Sequence, residues 1–157
     1  RVLFRSSSVR YGTLMGLTYC LVLLLAEGMG WNYFGPVSAL TWIIPLPFLY
    51  RSVKNYREYN GEGFITFKKA FVEGMKTTFF SSLLFGMTFY LVGCFAFTGL
   101  LDEFKLYSEM AAEEFSKMFP SLNFSDEMLK ETDQMTLGKL AYAQASSAFY
   151  WGVLLSL

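Results

Sequence analysis

The residues able to do chemistry are few and scattered. Histidine is absent, which removes the commonest general base, proton shuttle and transition-metal ligand together. The two cysteines, Cys20 and Cys94, both sit in apolar stretches, whereas a zinc or iron–sulfur site built on cysteine alone takes four. Counted from the inner ends of their helices they lie about nine and about seventeen residues deep, so they differ by roughly 12 Å in depth, too far for a disulfide. Two free thiols are expected. Glu27, Glu73 and Lys76 are ionisable groups within or at the mouth of long apolar runs. A carboxylate held within a bilayer is a functional hypothesis by default, because its burial costs about 2.5–3.5 kcal/mol. Glu27 is therefore a candidate for a substrate or cation contact, although its place near the outer end of its helix favours a solvated, interfacial glutamate. Glu73 and Lys76, at the inner mouth of theirs, need only snorkel to water. No carboxylate pair, Ser-His-Asp set, phosphate loop or metal-ligand spacing is present. Hydrolysis, proton pumping and metal transport each need residues this chain lacks, so neither catalysis nor a cofactor is expected. Transport of a neutral ligand stays open.

The elements that would carry these residues are apolar blocks. The 157 residues are 54% hydrophobic and only 17% charged, against about 25% charged in an ordinary soluble domain. A net charge of +0 excludes a nucleic-acid binder. The apolar residues mass into four stretches near membrane-spanning length, at about 11–30, 34–50, 77–101 and 138–157. The first follows Arg1, Arg5 and Arg10 and imitates a signal peptide, but further spans come after it, so it is read as a helix that stays. In the second, Pro36 suits a first helical turn. Pro45 and Pro47 free carbonyls about four residues earlier, near Thr41 and Ile43, and predict a bend. Thr41, Pro45 and Pro47 are the candidate pocket beside that kinked helix, with Thr88 and Tyr90 facing it; a closed, packed kink is the simpler alternative. The third block, Thr77 to Leu101, holds no charged side chain. As helix it would be about 37 Å long, enough to tilt in a core of roughly 30 Å. The fourth reaches Leu157 inside an apolar run and the chain opens on Arg1, so both tails are expected to extend further.

Direction follows from lysine and arginine. Nine of the 13 (Arg1, Arg5, Arg10, Arg51, Lys54, Arg57, Lys68, Lys69 and Lys76) fall on one side of a four-span threading. The other four, Lys105, Lys117, Lys130 and Lys139, share their side with nine acids between Asp102 and Asp133. Both termini and the loop 51–76 are thus expected in the cytoplasm, and the acidic loop 102–137 outside. Within the inner loop Asn60-Gly61 and Gly63 mark a turn. Phe64, Phe67, Phe71 and Met75 then share one helical side, with Lys68, Lys69, Glu73 and Lys76 opposite, an amphipathic lead-in at the headgroup level. It either anchors at the interface, the commoner case, or recognises anionic lipid. Outside, Phe104, Tyr107, Met110, Phe115 and Met118 recur at helical spacing from Leu101 to about Phe119, where Pro120 ends the helix. A second helix starts near Ser125, an N-cap ahead of Asp126 and Glu127, with Met128, Leu129 and Met135 on its apolar side. This hairpin caps the bundle, lies on the outer leaflet or presents Phe and Met to a partner. Asn123-Phe-Ser125 is formally a glycosylation acceptor, relevant only in a secretory pathway.

Small residues are set for close helix contact. Gly12 and Gly16 make one step, Gly74, Thr78, Ser82 and Gly86 a row, and Ala141, Ala145, Ala148 and Gly152 another. Helices associate in lipid where small side chains let backbones approach. Packing inside the bundle is the simpler use of these rows, contact with another protein the alternative. The stretch from Tyr56 to Gly74, Tyr-Arg-Glu-Tyr-Asn-Gly-Glu-Gly-Phe-Ile-Thr-Phe-Lys-Lys-Ala-Phe-Val-Glu-Gly, followed by a long apolar span, resembles a bacterial family known as domain of unknown function 4199. The early Tyr11-Gly12 pair with Gly16, the Ile-Thr-Phe and Ala-Phe elements and the charged outer loop all share in the resemblance, which covers nearly the whole chain. The resemblance implies a basic cytoplasmic tail, which is expected beyond Leu157. The resemblance implies a four-helix inner-membrane protein and supplies no reaction, ligand or catalytic residue.

The expectation is an all-α polytopic protein of a bacterial inner membrane, with four transmembrane helices and an amphipathic helical hairpin in the outer loop. It would be a non-catalytic structural, assembly or stabilising subunit whose partners are membrane lipids and other membrane subunits. The alternative is a carrier for a lipid or small neutral solute.

Overall fold

A computed structural model describes residues 6–60, 63–118 and 124–156. The regular elements among them are helices: α1 (Ser7–Gly28), a 3-10 turn (Pro36–Ala39), α2 (Leu40–Ile43), α3 (Pro45–Asn60), α4 (Phe67–Phe95), α5 (Leu100–Met118), α6 (Phe124–Asp133) and α7 (Leu137–Leu155). The expected Asn60-Gly61 turn, the stop at Pro120, the Asn123 acceptor and the side chains of Ser125 and Met128 lie outside the described residues.

Local chemistry sets the helix ends. Beyond α1, Gly30 takes φ +70°, which glycine adopts without Cβ strain. There Gly30 N–H donates to the Glu27 carbonyl and Trp31 N–H to that of Ala26, closing a Schellman-type end. The break at Pro45 is where the ring removes a donor and leaves the Thr41 carbonyl without its helical partner. Tyr19 of α1 supplies the missing donor, its hydroxyl lying 3.1 Å from Thr41 O. Pro45 itself is buried.

Helix directions can be read from paired positions. Ser7 meets Glu73, Gly12 faces Thr77 and Gly16 faces Ser81, and the Tyr19 and Phe85 rings lie 5.2 Å apart. The residue numbers of both partners rise together, so α1 and α4 are parallel. On α7 the order reverses. Gly74 faces Ser156, Gly86 faces Ala145 and Gly93 faces Leu137, so α7 is antiparallel to α4. Tyr19 pairs with Thr41, while Ser52 pairs with Thr77 at the level of Gly12, so α2–α3 descend beside the ascending α1. The chain thus runs up, down, up and down, and α5–α6 join the two last strokes at the upper end. The core is Met15, Tyr19, Leu23, Tyr33, Phe34, Phe85, Phe89, Leu100 and Leu140, with edge-to-face rings such as Phe85–Phe89 at 5.9 Å.

Several boundaries differ from the expected ones: α1 already begins at Ser7, and α3 runs on to Asn60, ten residues past the expected end of the second span. The lead-in and the third apolar block form one continuous 29-residue helix, and it ends at Phe95 rather than Leu101. Leu100 and Leu101 open α5 instead, and Leu100 is fully buried. The uncharged run persists past the helix end because the turn after it still feeds the core.

Candidate functional site

Hydroxyls and one carboxylate occupy the lower interior of the bundle. Ser8, Ser52, Glu73, Thr77, Thr78 and Ser81 are all buried. Glu73 is 3% exposed and accepts a hydrogen bond from Ser7 Oγ of α1. This corrects the snorkelling expected of it: α1 packs over the face of α4 that bears Glu73, so the carboxylate is met by a hydroxyl rather than by water. Thr77 Oγ1 donates to the Glu73 carbonyl at 2.9 Å, leaving Ser52 Oγ to donate to Thr77 at 2.7 Å. Thr78 Oγ1 likewise donates to Gly74 O at 2.9 Å. The Ser7–Glu73 bond ties α1 to α4 and the Ser52–Thr77 bond ties α3 to α4, whereas Ser8 pairs with Ser6 beside it and Ser81 Oγ is buried without a hydrogen-bond partner.

The small residues lie between helices. A Cβ on Gly12 would sit 2.5 Å from the Thr77 carbonyl oxygen, and one on Gly16 3.0 Å from that of Ser81. On the other side of α4, a Cβ on Gly74 would strike Ser156 and one on Gly86 would come within 2.7 Å of Ala145 Cβ. A Cβ on Gly152 would overlap the Thr78 side chain. Ser82 is buried and donates to Phe79 O at 3.0 Å, Ala141 is buried, and Ala148 packs against the core. Sequence reading missed Gly93, where a Cβ would lie 2.6 Å from Leu137. Its signal was the seven-residue step from Gly86, which leaves the four-residue row.

Thr41 carries the Tyr19 bond on its carbonyl and donates through Oγ1 to Ser38 O at 2.5 Å. The Trp42 ring lies against Trp151 of α7, tilted by 36° with centroids 4.0 Å apart, and Pro47 faces outward. Tyr90, expected beside the kink, lines instead an open groove of about 610 Å³ between α4 and α7, floored by Gly86, Ala141 and Ala145 and walled by Phe79, Tyr142 and Tyr150. Thr41, Pro45 and Pro47 do not line it.

At the upper end the outer helices divide their apolar residues. Phe104, expected on the outward face, turns inward with its ring 5.3 Å from Phe34, because α5 begins at Leu100 and its first turns dock on the core. Tyr107, Met110, Phe115 and Met118 are exposed, as is Leu106. Ser108 and Thr132 join α5 to α6 by a 2.8 Å hydrogen bond. Glu27 is only partly exposed, and its Oε1 and Glu103 Oε2 are each buried without a hydrogen-bond partner, near enough for their charges to interact. The glutamate expected to be solvated is therefore half covered by the start of α5. Both cysteines are free thiols, and among the described residues no three His, Cys, Asp or Glu side chains gather to hold a metal ion.

The family model described as "Protein of unknown function (DUF4199)" matches residues 10–157. The chain belongs to this family. No curated protein and no solved structure matches it. The DUF4199 match takes in all of the small-residue rows, the kink and the outer hairpin, and begins at Arg10, just ahead of the Tyr11-Gly12 pair.

Proposed function

We propose that this DUF4199 protein crosses a cell membrane four times and acts as a non-catalytic structural, assembly or stabilising subunit of a larger membrane complex. Two helices, α1 and α4, are long and apolar enough to cross a membrane. Because they run in the same direction, a chain in which both cross must return between them, and α2–α3 supply that return. α7, antiparallel to α4, supplies the last crossing. The distribution of side chains agrees: leucines such as Leu14, Leu17, Leu21 and Leu24 of α1 face outward while Ser8, Thr77 and Ser81 face inward. Water would favour the reverse, and lipid favours this. The excess of lysine and arginine at the lower end supports a cytoplasmic position for that end.

The observation that carries the subunit reading is the outer stripe of α5. Its first turns anchor the helix through Leu100 and Phe104, while Leu106, Met110 and Met118 point away from the fold at 57%, 58% and 65% exposure. Exposed methionine and aromatic stripes are typical of adaptable protein contacts. Most of the buried hydroxyls are hydrogen-bonded within or between helices, with Ser81 Oγ the exception among them. The groove between α4 and α7 supports the second reading, a carrier for a lipid or small neutral solute, because it is concave, aromatic-walled and almost free of charge.

Membranes solubilised in mild detergent and run on a native gel separate the two. The subunit reading predicts a discrete band well above the size of one chain, lost when Leu106, Met110 and Met118 are changed to glutamate. The carrier reading predicts a single chain in both cases, with a small molecule retained in native mass spectrometry.

A further inference from the structure

A second groove, of about 440 Å³, opens at the lower end between α3, the start of α4 and the end of α7. It is graded along its length. Leu46, Leu49 and Val53 follow one face of α3 at three- and four-residue steps, and the same face continues downward into Lys54 and Arg57. Phe67 of α4 closes one side and the last residues of α7 the other. From Leu46 to Arg57 the helix rises about 16 Å, passing from an apolar wall to two cations. An apolar slot ending in paired positive charges is complementary to one kind of molecule, a chain of methylenes ending in a phosphate.

We infer that this groove binds an anionic glycerophospholipid of the inner leaflet, with an acyl chain along Leu46, Leu49 and Val53 and the phosphate between Lys54 and Arg57. The inference rests on the four-pass reading, which puts the lower end at the cytoplasmic headgroups. Glu58 opposes it weakly: Lys54 Nζ lies 4.0 Å from Glu58 Oε1, with both side chains about half exposed. An ion pair so exposed contributes little, and a phosphate can displace it. Lys68 and Lys69 belong to the same end but line a different depression, beside Tyr56 and Val72, so they serve as an internal control for diffuse charge.

The test uses the full chain in a neutral detergent, titrated separately with a phosphatidylglycerol and a phosphatidylcholine of the same acyl chains. Bound lipid is followed by native mass spectrometry and the midpoint by thermal unfolding. Phosphatidylglycerol should bind at least tenfold tighter than phosphatidylcholine. Lys54→Gln with Arg57→Gln should weaken it by about fivefold for each charge removed, while Lys68→Gln with Lys69→Gln should leave it within twofold. Equal binding of the two lipids overturns the proposal, as does an equal loss in both double variants. Inorganic phosphate giving the same stabilisation as the lipid also overturns it, since the apolar wall would then be idle. Cysteine labelling at Tyr59 and Glu131, both exposed, tells the two failures apart. If these positions react from opposite faces while the lipid preference is absent, the lipid site alone falls; if they react from the same face, the four-pass reading falls with it.

Discussion

Replacing Gly12 with leucine is expected to abolish the folded bundle, and Gly12→Ala to lower its stability by about 1–3 kcal/mol. The size follows from what the added atoms meet. A single Cβ would stand 2.5 Å from the Thr77 carbonyl oxygen and 2.9 Å from Phe80 Cβ. Neither is the far end of a flexible side chain, so relief requires moving α1 away from α4. That movement would part Ser7 from Glu73 and Tyr19 from Phe85, contacts made by the same helix pair. Gly28→Ala is the matched control. It stands at the end of the same helix with nothing within 4 Å of the new Cβ, and should be neutral or slightly stabilising because alanine favours helix. Thermal unfolding in detergent, followed by circular dichroism, measures both. Unchanged unfolding for Gly12→Leu would mean that α1 does not pack on α4 as described.

The second large effect concerns the buried carboxylate. Ser7→Ala should destabilise the protein by about 1–3 kcal/mol, because Glu73 keeps its burial and loses a donor. Removing the charge as well should return part of that loss, so Ser7→Ala with Glu73→Leu is expected to be more stable than Ser7→Ala alone. A buried charge without its partner costs more than an apolar side chain of similar volume in the same place. Equal unfolding temperatures for the single and double variants would mean that Ser7 does not support Glu73.

Much of the path of the chain was legible before its structure. The blocks around residues 11–30 and 77–101 hold the two helices long and apolar enough to cross a membrane, and proline marked the break at Pro45 because losing an N–H is a local event. What sequence could not supply was the partner of each freed group. Nothing near Thr41 in the chain announces that Tyr19 will cap its carbonyl, and nothing near Glu73 announces Ser7, 66 positions away. Phe104 and Met110 carry the same periodic signal, yet one is tucked under Phe34 and the other faces out. Periodicity fixes a helix face, while the direction of that face depends on how the preceding turn aims the helix. The large groove was illegible for a related reason. Its floor is made of Gly86, Ala141 and Ala145, residues that read as packing positions, and it exists because the bulky rings beside them stand apart.

Three single cysteines, at Ser6, Tyr59 and Glu131, test the four-pass threading most directly. They are placed one at a time in a chain whose own thiols are replaced by Cys20→Ala and Cys94→Ala, then exposed in intact cells to a membrane-impermeant maleimide. Tyr59 is 83% exposed in the loop-side end of α3, and Glu131 is exposed on α6, outside the α5 stripe proposed to meet a partner, so access depends on the side of the membrane rather than on burial. Labelling at Glu131 in intact cells, with Ser6 and Tyr59 reacting only after permeabilisation, is the expected result. Reaction of Glu131 and Tyr59 from the same face would contradict the account, because the bundle would then not carry its acidic hairpin and its basic loop to opposite sides of the membrane.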